Sequence, residues 1–157
     1  MSKFHLAQLN IAKLIAPIDS PQLKDFVDNL DRINALADES PGFVWRLQTE
    51  EGDATSIGFF GADQIANMSV WQSFESLHDY VYHSAHIEVL RRKKEWFHNM
   101  AESHMVLWWV PAGHVPSVEE AADKLALLRA SGPTSEAFTF KKAFPAPEQE
   151  KSTSTEV

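Results

Sequence analysis

The sequence contains no cysteine, which excludes a disulfide framework, a thiolate nucleophile and a cysteine-bound zinc. Its six glycines are few and scattered, and they form neither a phosphate-binding loop nor a dinucleotide-binding fingerprint. A Gly-x-Ser-x-Gly nucleophile elbow is absent as well. The apolar runs, such as residues 105–110, are far shorter than the roughly 20 residues of a membrane-spanning helix. Because MSKFHLAQLN lacks the apolar core of a secretory signal, we expect a cytoplasmic protein.

Positive charge is also scarce, with 14 basic against 22 acidic residues and a net charge of -8. This balance opposes binding to nucleic acid, so we expect no nucleic-acid partner. The short apolar runs predict no membrane partner. The single basic cluster, Arg91 to Lys94, lies within a helical pattern that continues into Glu95, Trp96 and Phe97. We interpret it as a solvated helix face.

Hydrophobic residues make up 44% of the 157 positions, enough for one domain with a sizeable core. A strand is predicted for Phe4 to Leu14, because its side chains alternate between two faces. Ser20-Pro21 predicts a helix start, and the apolar stripe of that helix comprises Leu23, Phe26, Val27, Leu30, Ile33, Asn34 and Ala37. Further strands are predicted for residues 43–49, 65–71 and 104–111, with a possible short strand at 55–60 and two helical runs between 74 and 97.

This order of elements is β-α-β-β-α-β, which predicts an α+β fold with a ferredoxin-like split sheet. Two helices cover one face of such a sheet. The other face carries Trp and Phe side chains that would otherwise form a large exposed patch. We therefore expect a partner sheet to cover it, in a homodimer that forms a dimeric α/β barrel and encloses one pocket per subunit.

The C-terminal region predicts an added helix and arm. Ser117 and Glu120 match a capping box, in which Glu120 bonds back to the N-cap residue, and the helix is expected to end near Arg129, before Gly132-Pro133. Residues 137–140 alternate and could dock as an edge strand or extended arm. From Pro145 the sequence has no apolar face, which predicts disorder. We expect one domain over residues 1–144 (core 4–111, helix and arm 112–144) and a tail over 145–157.

Several segments resemble a known superfamily. The run WQSFESL from Trp71, with the later Ser84-Ala-His86, resembles the antibiotic-biosynthesis-monooxygenase-like group of dimeric α/β-barrel proteins. Over a longer span, the chain resembles an uncharacterised branch of that superfamily, a domain of unknown function, through the segments SPGFVWRL, NMSVWQS, LRRKKEWF, LWWVPAGHVP and GPTSEAFTF. The resemblance implies the fold. The superfamily includes cofactor-free oxygenases, haem enzymes, isomerases and proteins without known activity.

Polar side chains on two strands predict a ligand site. Asn67, Ser69 and Trp71 share one strand face, and Gln8 and Asn10 share a face of the first strand. The first and third strands are central neighbours in a split sheet, so these groups could meet inside the barrel. Buried amides need partners, and they either bond each other or orient a ligand. In the resembled oxygenases an Asn and a Trp of this kind help to hold an aromatic, enolisable substrate.

The helix after this strand supplies the titratable candidates. His78, Tyr82 and His86 would align on one face of a continuous helix. They could line the pocket, with His86 or Tyr82 assisting proton removal, or they could form a partly exposed helix edge. His83 and His86 have a spacing that could bind metal, but two imidazoles do not make a zinc site, and no metal is expected. A haem with His86 as its axial ligand is an alternative that the resemblance implies.

Three further residues are ambiguous. Arg46 could bind an anionic substrate group or form an ion pair at the surface or interface. Trp108 and Trp109 must face opposite sides of their strand, and Trp108 is a candidate for the pocket. His114 could form a pocket lid or could tie down its own loop.

Three functions therefore stay open. The first is a cofactor-independent, monooxygenase-like oxidation of an aromatic or polyketide-type substrate. The second is a haem- or small-ligand-binding barrel protein without turnover. The third is a structural dimer whose cavity is filled by its own aromatic side chains.

Overall fold

The computed structural model of the protein describes residues 3–17, 19–47, 64–83, 87, 91–98 and 104–147. The strands are β1 (Phe4–Lys13), β2 (Phe43–Arg46), β3 (Gln64–Trp71) and β4 (Met105–Pro111). The helices are α1 (Lys24–Glu39), α2 (Phe74–His83) and α3 (Val118–Ser131), and 3-10 turns occur at Pro21–Leu23 and Lys93–Glu95. The predicted order β-α-β-β-α-β is confirmed, with α3 added at the end. The possible strand at 55–60 lies outside the described residues.

The four strands form one antiparallel sheet in the order β2-β3-β1-β4. The prediction that the first strand and the 65–71 strand are central neighbours is confirmed. Between β1 and β3 the register pairs Leu6 with Trp71 and Gln8 with Ser69. Because side chains alternate along a strand, these residues project from one face of the sheet, and the odd-numbered residues of β1 project from the other.

Helices α1 and α2 cover the face that carries Leu6 and Gln8. The start of α1 differs from the prediction, because a 3-10 turn precedes it and the Ser20 side chain makes no capping bond. Within the predicted apolar stripe, Leu23, Phe26, Ile33, Asn34 and Ala37 are buried, whereas Val27 is exposed. After α1 the chain reverses at Gly42, whose φ of +84° lies in the left-handed region that glycine adopts without strain.

Two apolar clusters form between these helices and the sheet. The Trp71 cluster lies at one end of the sheet, and its buried members are Leu6, Ala37, Trp71, Leu77, Leu107 and Phe138. The Phe26 cluster lies at the other end, and its buried members are Leu14, Leu23, Phe26, Ile65 and Trp96. The two clusters do not merge, because the sheet positions between them carry polar side chains.

The opposite face of the sheet is covered by α3. Ala121, Leu125 and Leu128 of this helix belong to one buried cluster with the inner residues of β1, β3 and β4, which are Ala7, Leu9, Ile11, Ala66, Met68, Val70, Val106, Trp108 and Val110. The expectation that a partner sheet must bury this face is therefore wrong, since the chain's own helix does so. Dimerisation itself stays a prediction.

The predicted cap of α3 is confirmed in one half only. The Glu120 backbone N–H donates to Ser117 Oγ over 3.0 Å, which satisfies one of the unpaired donors at the helix start. The Glu120 carboxylate does not bond back to Ser117, because its two oxygens contact Trp108 and His114 instead. Gly132 ends the helix with a φ of +73°.

The predicted arm docks on the exposed edge of the sheet. Leu107 and Phe138 exchange backbone hydrogen bonds of 2.8 and 2.9 Å, and the Trp109 indole N–H donates to the Phe144 carbonyl oxygen over 2.9 Å. Ala146 is buried, so packing continues one residue past the predicted start of the tail at Pro145. Residues 148–157 lie outside the described part of the chain.

The basic cluster lies against the start of α1. Arg92 pairs with Asp25 at 2.9 Å and with Glu95 at 2.8 Å, and its guanidinium stacks 4.8 Å from the Trp96 ring centroid. Exposed ion pairs of this kind stabilise a fold only slightly. Of the helices in the described residues, none is long and apolar enough to cross a membrane.

Candidate functional site

A belt of polar side chains separates the two apolar clusters on the helix-covered face of the sheet. We define this polar belt as Gln8, Asn10, Asn67 and Ser69. The register places Gln8 opposite Ser69 and Asn10 opposite Asn67 on the neighbouring central strands. Gln8 and Ser69 are buried, with exposed fractions of 6% and 7%, whereas Asn67 is exposed. The belt therefore begins in the interior and opens to solvent at Asn67.

Gln8 is the hub of the hydrogen bonds in the belt. Its Nε2 donates to Asn67 Oδ1 over 2.8 Å and to Ser69 Oγ over 2.8 Å. The Trp71 indole N–H also donates to Ser69 Oγ, again over 2.8 Å. Of the two alternatives that the sequence left open for these residues, mutual hydrogen bonding is thus realised for Gln8, Asn67 and Ser69.

At Ser69 and Asn67 the hydrogen-bonding capacity that remains is mainly of the donor type. Ser69 Oγ already accepts two hydrogen bonds, so its own proton is available to donate. Asn67 uses its carbonyl oxygen to accept from Gln8, and within the described part of the chain its amide N–H groups make no further bond. A ligand at this belt would therefore meet N–H and O–H donors, which favour carbonyl, phenolate or enolate oxygens.

An aromatic wall adjoins the belt. Trp71 is fully buried; it stacks on Tyr80 with centroids 5.0 Å apart and meets Phe43 edge-on at 5.4 Å. Tyr80 donates its hydroxyl proton to the Ile33 carbonyl oxygen of α1 over 3.1 Å. Burial is the main cause that raises the pKa of Tyr80 well above 10, so the phenol stays neutral at physiological pH. It anchors α2 to α1 and cannot serve there as a base.

Tyr80 was missed in the sequence. The prediction chose Tyr82, which is 41% exposed and lies on the outer side of α2. Tyr82 contacts His78 and Phe140 of the arm, with centroids 4.7 and 5.7 Å away. The spacing along the helix could have identified Tyr80, because it lies three residues after the apolar Leu77 and therefore shares the inward face of the helix. His86, the leading predicted catalytic residue, lies outside the described residues, as does Ser84.

Arg46 lies on the same sheet face as the belt, opposite Ser69 in the register. Its side chain is only 11% exposed, and its Nε and Nη2 atoms contact the Asp38 carboxylate at 2.8 and 3.2 Å. The ion-pair alternative is therefore present in the structure. The paired carboxylate offsets the positive charge, which weakens the case for Arg46 as an anchor for an anionic substrate.

Trp108 does not join the other candidates, so the prediction that it shares their pocket is wrong. It projects from the opposite face, beneath α3, and its indole N–H donates to Glu120 Oε2 over 2.9 Å. His114 Nε2 lies 2.7 Å from the other oxygen of Glu120. These contacts tie the loop before α3 to the sheet, so His114 holds its own loop in place, the second of its two predicted roles.

Among the described residues, no group of three or more histidine, aspartate or glutamate side chains gathers closely enough to hold a metal ion. A surface hollow of about 420 Å³ lies along α3, on the opposite side of the sheet from the polar belt. It is lined by Ala122, Leu125, Ala126, Arg129 and Ala130. Its lining carries few polar groups that could orient a ligand, so the polar belt is the better candidate site.

Several solved structures resemble the chain. A conserved protein from Methanosarcina mazei Go1 has 7% sequence identity and a TM-score of 0.50, over 69% of this chain and 93% of that one. SnoaB, a cofactor-independent oxygenase from Streptomyces nogalater, has 11% identity and a TM-score of 0.47, over 71% and 95% of the two chains. MupZ from Pseudomonas fluorescens has 12% identity and a TM-score of 0.44, over 94% and 98%. No protein of curated function matches the chain in sequence.

The match to one protein family covers nearly the whole chain. The family is described as a domain of unknown function, DUF3291, and its sequence pattern extends over residues 5–155. This span includes β1 from its second residue onward, every other strand and helix of the described structure, and the arm on β4. The resemblance to an uncharacterised family, a domain of unknown function, is thereby confirmed. The chain belongs to the DUF3291 family.

Proposed function

We propose that the protein binds a small aromatic or polyketide-type molecule at the polar belt and oxidises it with molecular oxygen, without a cofactor. The observation that carries this proposal is the belt itself. It presents the donors of Asn67 and Ser69 between two apolar clusters, and it opens to solvent at Asn67. The apolar clusters suit a flat ring system, and the donors suit the oxygens on its edge.

Hydrogen-bond donors at Asn67 and Ser69 would also favour the first step of the proposed oxidation, which is removal of a proton from the substrate. An aromatic ketone with an acidic CH₂ group loses a proton to give an enolate, whose charge rests on oxygen. The Asn67 amide and the Ser69 hydroxyl would stabilise that oxyanion, and donors placed where charge develops give large rate effects. They would also lower the pKa of the CH₂ group, so that a weak base suffices. His86 is our proposed base; Tyr82 is a weaker proposal because it lies on the outer side of α2.

The substrate and O₂ are the only reagents that this oxidation needs. The carbanion gives its electron pair to O₂, and a C–O bond forms to give a hydroperoxide. Loss of the second proton from the same carbon then breaks the O–O bond, which leaves a carbonyl group and releases water. Overall CH₂ and O₂ become C=O and H₂O, with the four electrons supplied by the substrate carbon.

The test uses 1,8-dihydroxyanthrone as the probe, because it has hydroxyl and carbonyl oxygens on one edge and an acidic CH₂ group. We expect the purified protein to accelerate its conversion to the anthraquinone, with one O₂ consumed per product formed. Asn67→Leu should lower kcat/KM about tenfold or more. Asn29→Leu is the control, because Asn29 lies on α1 and bonds to the Asp25 carbonyl oxygen at the surface.

Three results would count against this proposal. No acceleration over buffer, in the presence of tight binding, would favour the alternative of a ligand-binding protein without turnover. A Soret band in the purified protein would favour haem binding. An unchanged rate in both Asn67→Leu and His86→Ala would show that the reaction occurs elsewhere in the molecule.

A further inference from the structure

Asn34 of α1 is a buried amide with unused donors. The residue is 6% exposed, and its Nδ2 atom has no hydrogen-bond partner in the part of the chain that the structure describes. Buried side-chain amides are nearly always hydrogen-bonded, because an unpaired donor loses its bonds to water without replacement. The unpaired Nδ2 of Asn34 therefore costs folding stability, and a contact with a ligand would account for it.

The two ends of α1 define where Asn34 lies. Phe26 packs with Ile65 in the Phe26 cluster, and Ala37 packs with Trp71 in the Trp71 cluster. The helix rises about 17 Å between Phe26 and Ala37, and β3 extends about 20 Å between Ile65 and Trp71. The helix therefore runs along the strand, and its buried residues between these ends lie over the polar belt. Asn34 is one of them.

A chain of contacts beside Asn34 supports this placement. The carbonyl oxygen of the preceding residue, Ile33, accepts the Tyr80 hydroxyl proton at 3.1 Å. Tyr80 stacks on Trp71 at 5.0 Å, and the Trp71 indole donates to Ser69 Oγ. The backbone next to Asn34 is thus joined through two rings to the belt.

We propose that Asn34 is a ligand-binding residue whose amide N–H groups hold an acceptor oxygen of the ligand from the helix side, across from Asn67 and Ser69 on the sheet side. This inference rests on the proposed function, since it concerns the same site. It also narrows the ligand class. A molecule held between Asn34 on one side and Asn67 and Ser69 on the other needs acceptor oxygens on two opposite edges of a flat ring system.

The test combines folding stability with binding. In the absence of ligand, Asn34→Leu replaces an unpaired buried amide by an apolar side chain of similar size, so we expect the Tm to rise by about 2–6 °C. For binding, the probe is 1,8-dihydroxyanthraquinone, whose oxygens lie on opposite edges, measured by quenching of tryptophan fluorescence. Loss of one hydrogen bond should raise its Kd about tenfold.

Asn29→Leu is the matched control for both measurements. It makes the same change in helix propensity on the same helix, at a residue that bonds at the surface. We expect it to leave the Kd unchanged and the Tm below that of Asn34→Leu. Asn34→Ala provides a second variant that removes the donors without adding a bulky side chain, and its Kd should rise similarly.

The outcomes separate this inference from the proposed function. If the wild-type protein binds the probe and both Asn34 variants bind it equally well, Asn34 does not contact the ligand, while the belt proposal stands. If Asn34→Leu lowers the Tm as the loss of a bonded buried amide would, the residue is structural and the inference is overturned. If the wild-type protein does not bind the probe at all, both proposals are wrong for this ligand class.

Discussion

The hydrogen bond between Trp71 and Ser69 gives a direct test of the polar belt. The Trp71 indole N–H is fully buried and donates to Ser69 Oγ over 2.8 Å. Ser69→Ala removes this acceptor and leaves a buried donor unpaired, whereas Gln8 keeps its second bond to Asn67. An unpaired buried donor costs about 1–3 kcal/mol. We therefore expect the free energy of unfolding to fall by about 2 kcal/mol.

The assay is urea unfolding followed by far-ultraviolet circular dichroism, which does not depend on the tryptophans. The absence of cysteine removes any complication from disulfide exchange. For a chain of 157 residues, a loss of this size should also lower the Tm by about 4–8 °C. Ser135→Ala at an exposed position is the control, and it should change stability by no more than about 0.5 kcal/mol.

A double-mutant cycle isolates the bond itself. Trp71→Phe removes the indole N–H together with part of the ring, so it is destabilising on its own. In the Ser69→Ala background, however, no bond remains for it to break. The double variant should therefore lose about 1 kcal/mol less than the sum of the two single variants. Additivity to within about 0.3 kcal/mol would refute our description of the belt.

Two further predictions concern a turn and a buried phenol. Gly42→Ala should cost at least about 3 kcal/mol of unfolding free energy, because a Cβ there would overlap Ser76 Oγ and φ is +84°. Gly113→Ala has a similar φ but open space, so a thermal melt should show a loss of only about 1 kcal/mol; equal losses would contradict the overlap. In a Tyr82→Phe background Tyr80 is the only tyrosine. Its raised pKa stabilises the fold below pH 10, and this contribution is lost as the pH rises above 10. Phenolate absorbance should then appear together with unfolding, and its appearance in a folded protein would contradict the buried placement.

Much of the sheet could be predicted from the sequence, because the alternation of side chains along a strand is a local property. Residues 65–71 and 4–14 each showed which side chains share a face, and the split-sheet order then made the two strands neighbours. The register could not be predicted in this way. It depends on which residues of β1 and β3 lie opposite each other, and this placed Gln8 opposite Ser69.

In the candidate site, too, some features could be predicted from the sequence and others depend on tertiary packing. The polar residues on β1 and β3 were visible in the sequence, but the choice between the two tyrosines of α2 was not. Tyr80 and Tyr82 lie about 200° apart around the helix axis, so only one of them can face the sheet. The direction in which the helix docks decides which one. Leu77, Tyr80 and Val81 pack inward, whereas Tyr82 meets the arm at Phe140.

Glu120 illustrates how tertiary contacts can replace a local motif. Ser117 and Glu120 have the spacing of a capping box, and the serine does cap the helix. The carboxylate instead contacts the buried indole of Trp108 and the imidazole of His114, which the packing of α3 on the sheet brings to it.

By itself the sequence determined the order of the strands and helices, the cap of α3, and the presence of polar side chains on the two central strands. These follow from backbone preferences and from the periodicity of side chains within short segments. Only the tertiary structure decided that α3 covers the second face of the sheet and that Tyr80, rather than Tyr82, packs on Trp71 beside the polar belt. Those arrangements depend on how separate elements pack, because a buried surface can be covered by any apolar face of suitable shape that the chain brings to it.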